Sequence, residues 1–99
     1  MLLIAGTIRL PSDRVSDALF AMKRMVESSR AEEGCEEYCY AQDLFDPGLI
    51  HVKELWRDQM ALDRHFASVH LAGWRAAWPE LGIHDRDLCV YDVGEPRRT

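Results

Sequence analysis

The chain has 99 residues, 12 Lys+Arg against 17 Asp+Glu for a net charge of -5, and 47% hydrophobic residues. That describes one domain at the smaller end of domain sizes, too apolar for disorder and too acidic for a phosphate-backbone binder, which needs clustered cations. No apolar run approaches the roughly 18 residues of a membrane span.

The Met1–Ala5 run has no basic flank and no cleavage site, so it does not read as a signal peptide. Three cysteines are an odd count and too few for a disulfide scaffold, which makes a reducing, cytoplasmic setting the expectation. Neither nucleic acid nor membrane is an expected partner.

The first element, Leu2 to Ile8, is almost unbroken in apolar character and is ended by Arg9 and Pro11, as in a strand buried on both faces. From Val15 the period changes. Val15, Ala18, Leu19, Met22, Met25, Val26 and Ser29 fall on one stripe, with Arg14, Asp17, Lys23, Glu27 and Arg30 opposite. This predicts an amphipathic helix with Ser12 or Asp13 as N-cap and Gly34 just past its end. Cys35–Asp43 and Leu49–Trp56 read as two strands of a hairpin, turned by Asp46-Pro47-Gly48, with Pro setting φ and Gly permitting a positive one.

Asp58 can cap a second helix running through Leu62, Phe66, Val69, Trp74 and Ala77 and stopped near Pro79, with Gly73 loosening it midway. Asp87 to Val93 is the last strand, and residues 95–99 form a solvated tail behind a domain of residues 1–94. The order βαββαβ predicts an α+β, ferredoxin-like fold: a four-stranded antiparallel sheet with two helices on one face. Strand 1 nevertheless places Leu3, Ala5 and Thr7 on one side and Leu2, Ile4, Gly6 and Ile8 on the other. Both faces need cover, so a homodimer joined through sheet faces is expected.

No cofactor is expected. There is no G-x-G-x-x-G, P-loop or G-x-S-x-G elbow, and no Cys-His nucleophile signature. For metals, His65 and His70 on one continuous helix would diverge by about 140° at roughly 3.6 residues per turn. Cys35 and Cys39, taken as sharing a strand face, would lie about 13 Å apart at about 3.3 Å per residue, too far for a disulfide or a shared zinc. No metal site is expected.

What stands out is Glu54, a carboxylate two residues from Trp56 in an otherwise apolar strand. Buried Glu is rare unless paired, so it is either a structural link or a pocket carboxylate of raised pKa that serves as a base. His65 sits beside the apolar stripe and is either a hydrogen-bonded core residue or a base. Tyr38 and Tyr40 share a strand face and can bury their rings while their hydroxyls find partners. Trp74 and Trp78, one turn apart, read as packing before substrate platform.

Taken together, Glu33-Gly34-Cys35, Tyr38, Asp46-Pro47, Glu54-Leu55-Trp56, Ala61-Leu62, His65, Ser68 and His70 resemble the antibiotic biosynthesis monooxygenase family over about residues 2 to 93. The resemblance implies a dimeric α+β barrel with a pocket between sheet and helices, lined by Thr7, Tyr38, Glu54, Trp56, His65 and His70. It implies cofactor-independent oxidation of small aromatic or quinol-type substrates, with His65 as base, Glu54 as its partner, Tyr38 and Thr7 as donors and Trp56 as a flat wall. Haem-degrading relatives carry Asn where this chain has Thr7, which weighs against haem degradation. Family members differ in chemistry, so an isomerase or decarboxylase on the same pocket, or a non-catalytic small-molecule-binding module, remain alternatives.

Overall fold

Strand β1 (Leu2–Arg9) lies inside the sheet, hydrogen-bonded on both edges, with Leu2, Ile4 and Ile8 buried on one face and Leu3, Ala5 and Thr7 only partly buried on the other. The structure is a computed structural model that describes residues 1–99. After β1 come a 3-10 turn (Ser12–Arg14), α1 (Val15–Arg30), β2 (Cys35–Gln42), β3 (Leu49–Trp56), α2 (Gln59–Phe66), α3 (Val69–Leu81) and β4 (His84–Asp92). The four strands form one antiparallel sheet in the order β2-β3-β1-β4, the ferredoxin-like arrangement expected from the element order.

Strand alternation decides what faces the helices. Leu2, Ile4 and Ile8 of β1, and Ile50, Val52, Glu54 and Trp56 of β3, are buried on one face beneath Ala18, Met22 and Met25 of α1, Leu62 of α2 and Leu71 and Trp74 of α3. Burying each large aliphatic side chain here contributes about 1.5–3 kcal/mol. The other sheet face carries Leu3, Ala5, Thr7, His51, Lys53 and Leu55.

Several local expectations are corrected. Ser12 and Asp13 do not cap α1: they form the 3-10 turn, Arg14 holds the cap position, and no side chain accepts a bond there. Leu19 of the predicted stripe is half exposed. Gly48 does not take a positive φ. Its hydrogen is needed because a Cβ would lie 2.4 Å from the Leu10 carbonyl oxygen where the chain leaves β1. In β2 a bulge between Cys35 and Glu37 shifts the register, so Cys35 pairs with Trp56 but Cys39 with Lys53, and the two cysteines do not share a face. Both are free thiols. The last strand starts earlier than expected, at His84.

The largest correction concerns the second helix, which is two. Asp58 caps α2 as expected, its Oδ1 accepting from Ala61 N–H at 2.9 Å. The helix stops at Phe66, however, because Ser68 intervenes. Its Oγ donates to the His65 carbonyl at 2.6 Å and accepts from Leu71 N–H at 3.3 Å, so it closes α2 and caps α3. The break rotates α3 relative to a continuous helix, leaving Val69 exposed and turning Leu71 and Trp74 inward. Pro79 does not end α3. Gly82 does, in the left-handed conformation at φ 77°, with Gly82 N–H bonded to Pro79 O and Ile83 N–H to Trp78 O.

Candidate active site

The period of β3 carries Glu54 and Trp56 to the helix-covered face, with Ile50 and Val52 preceding them. Glu54 is therefore a carboxylate in an apolar layer. Its Oε1 accepts the Trp56 indole N–H at 3.0 Å. Burial pushes its pKa up to about 7, restrained by the Trp56 hydrogen bond and the Arg75 and Arg86 guanidiniums, while the Glu32 charge pushes it further up.

His65, in the last turn of α2, lies against this pair. Its ring sits 4.5 Å from the Trp56 ring and 5.6 Å from that of Tyr38, centroid to centroid. Nδ1 is 2.7 Å from Glu32 Oε1, and Nε2 is 3.7 Å from Glu54 Oε1, beyond a hydrogen bond. A carboxylate at Nδ1 favours the tautomer that donates from Nδ1, which leaves the Nε2 lone pair facing Glu54. Burial lowers the His65 pKa, and the bond to Glu32 opposes that. The shifts of Glu54 and His65 both favour the uncharged forms.

His70 completes the cluster. Its Nε2 approaches the same Glu32 Oε1 at 2.5 Å. The expected divergence of His65 and His70 is thus overturned: the Ser68 break replaces the continuous-helix phase, and the two imidazoles converge on one carboxylate. Glu32 itself was missed by sequence reasoning. It lies in the loop after α1, 33 and 38 residues from its partners, with no local pattern to single it out.

Tyr38 and Tyr40 do share a face, their hydroxyls 3.0 Å apart, and burial raises the pKa of both, that of Tyr40 to about 12. Tyr40 stacks on Trp74. Tyr38, Glu54 and His65 line a cavity between sheet and helices, together with Tyr40, Phe66, Arg75, Trp78 and Arg86. Its volume is only about 30 Å³, room for a water molecule and far from the few hundred Å³ of a typical ligand site.

Trp56 does not line this cavity. It is fully buried behind His65, where it holds Glu54 rather than presenting a wall to a ligand. Thr7 is not brought to the cluster either, because strand parity turns it to the other sheet face, opposite His51. His70 lines instead a groove of about 590 Å³ between α1 and α3, with Arg24, Ser28, Gly73 and Trp74.

The geometry has clear relatives. A family model described as Antibiotic biosynthesis monooxygenase matches residues 1–77. The "Putative monooxygenase Rv0793" of Mycobacterium tuberculosis is 36% identical over 76 residues, which cover 73% of this chain and 71% of that protein. An uncharacterized Synechocystis protein is 26% identical over 94 residues, 95% of this chain, and the chain spans 64% of that relative's length. A crystal structure from Deinococcus radiodurans, described as a "putative antibiotic biosynthesis monooxygenase", superposes with a TM-score of 0.93, covering 100% of this chain and 98% of that one at 23% identity. That last likeness bears on the fold, while the match over residues 1–77 carries the assignment: this chain belongs to the antibiotic biosynthesis monooxygenase family.

Proposed function

We propose that the protein is a cofactor-independent monooxygenase of small aromatic, phenol- or quinol-type substrates. The observation that carries this reading is the part-buried hydrogen-bonded run from His65 through Glu32 to His70, with links of 2.7 and 2.5 Å. It joins a base beside the sheet-side cavity to a histidine whose side chain is 28% exposed at the surface groove. A base must hold the proton it takes until the peroxide claims it, and the Glu32 carboxylate of this run stabilises the charged imidazole meanwhile.

In this reading the acidic C–H or O–H of an anthrone or hydroquinone enters the cavity and gives its proton to His65 Nε2. Tyr38 and Tyr40 hydroxyls stabilise the resulting anion. That electron-rich anion reduces dioxygen directly. The two radicals combine to a peroxide anion, which takes back the proton held on His65 to give the hydroperoxide; loss of water then leaves a carbonyl, so atoms, electrons and protons balance between substrate and O2. Because the cavity holds about 30 Å³, substrate entry requires its rim side chains Phe66, Arg75 and Arg86, all exposed, to swing outward.

The test is oxygen uptake by the purified protein with a panel of hydroquinones and anthrones, without added flavin or metal. Turnover that is lost in His65→Ala and slowed in Glu32→Gln supports the reading. No uptake with any member of the panel rejects it.

A specific observation favours a second reading, a non-catalytic module: Glu54 is satisfied by the Trp56 indole and His65 by Glu32 around a nearly filled space. We also propose that a second copy covers the open sheet face, where Leu3, Ala5 and Leu55 are only partly buried and Tyr91 is 52% exposed.

A further inference from the structure

Glu32, His65 and His70 come from three separate elements, the loop after α1, the end of α2 and the start of α3, yet their donor atoms all lie within 4.8 Å of one another. We propose that these three side chains form a binding site for a divalent first-row transition-metal ion, held by Glu32 Oε1, His65 Nδ1 and His70 Nε2. Two imidazoles and one carboxylate are the donor set of open zinc sites and of iron(II) sites alike.

Convergence is one argument for the site, and the surroundings give three more. Behind His65, on the ring nitrogen that would not bind the ion, lies Glu54 at 3.7 Å, itself held by the Trp56 indole N–H. A carboxylate behind a liganding imidazole orients the ring and fixes its tautomer. With the ion on Nδ1 the ring proton moves to Nε2, and a small side-chain shift from the present 3.7 Å brings Glu54 Oε1 within reach of it. In front, His70 opens on the groove between α1 and α3, so water can fill the remaining coordination positions and an ion has a way in.

Glu32 also has room to adjust where an ion would need it. Both nitrogens now reach the same carboxylate oxygen. Metal–nitrogen bonds of about 2.0–2.1 Å require that oxygen to withdraw and leave the ion in its place. Glu32 can do so by a rotation about its own side-chain bonds, which leaves α2 and α3 in place.

The site stands apart from the oxygenase reading and does not need it, since it is read by metal binding alone. Only one consequence rests on that reading: an ion on His65 Nδ1 keeps the ring proton on Nε2 and leaves no lone pair there to act as the base, so zinc inhibits turnover and a chelator restores it.

The experiment is a titration of chelator-treated, tag-free full chain with cobalt(II), followed by its visible d–d absorption, and with zinc(II) by calorimetry. One ion per chain is expected. His70→Ala and Glu32→Gln should lose the cobalt band while keeping the far-UV circular dichroism of the parent. Glu54→Gln, which removes only the group behind the ring, should weaken binding about ten- to a hundred-fold. His51→Ala, an exposed histidine on the other sheet face, should change nothing. His70 is chosen because it is partly exposed, so its loss leaves the core intact. The absence of a saturable band in the parent chain overturns the proposal, as does binding that survives both His70→Ala and Glu32→Gln.

Discussion

The Trp56 indole N–H donates to Glu54 Oε1 at 3.0 Å, with Trp56 fully buried and the Glu54 side chain 6% exposed. With bulk solvent largely excluded, this bond offsets much of the cost of keeping a carboxyl group in the core. Trp56→Phe keeps most of the packing and deletes the donor. We expect a loss of about 1–3 kcal/mol, the range for leaving a buried acceptor unpaired, measured by urea unfolding. The Glu54 pKa should rise further, because the lost bond was holding it down.

Stability should depend on pH through Glu54. Its carboxyl is raised from 4.5 to about 7 on folding. The folded state therefore binds the proton more tightly, and the stabilisation is fully present below pH 4.5 and lost as pH rises toward 7. The difference of 2.5 units corresponds to at most about 3 kcal/mol at about 1.36 kcal/mol per unit. His65, whose pKa is lowered, contributes the opposite slope, with stability lost as pH falls below 6.5. Comparing Glu54→Gln with the parent, chelator present, isolates the Glu54 part: stability of the parent relative to the variant should decline between pH 4.5 and 7. A constant difference across that window rules the shift out.

Ser68→Ala removes the hydroxyl that closes α2 and caps α3. A loss of about 1 kcal/mol is expected, typical of an N-cap serine, seen as a lower Tm. A drop in cobalt(II) affinity should accompany it, because His70 owes its direction to the break.

The open sheet face predicts a dimer in solution, by light scattering at micromolar concentration. Ala5→Arg, on that face, should shift the mass toward one chain without unfolding it. Ile8→Ala, on the helix-covered face, should instead cost about 2–5 kcal/mol of stability, as large-to-small core changes do.

Much of this molecule is legible in one dimension. Alternation along β1 and β3 assigns Ile4, Ile8, Glu54 and Trp56 to one face, because a strand's side-chain period of two leaves no freedom once register is set. The same parity separates Thr7 from the cluster; only the family resemblance drew it into the pocket. The stripe of α1 is equally plain, since a helix of 16 residues repeats its period often enough to be read.

The site was only half legible. Glu54, Trp56, His65 and Tyr38 announce themselves as polar or aromatic outliers in apolar elements. Glu32 does not, being one of several acidic residues in a loop. Nor does the meeting of His65 with His70, which depends on a single serine ending one helix and starting another. Helical phase is a local property that sequence encodes well, but the angle across a break is fixed by packing of the two helices on the sheet. Whether the space above Glu54 is open or filled is decided the same way, by side chains brought from all four strands and both α2 and α3. Periodicity determines which face each residue occupies; only the packed tertiary structure determines which distant residues share that face, because their proximity is set by long-range contacts that no local pattern records.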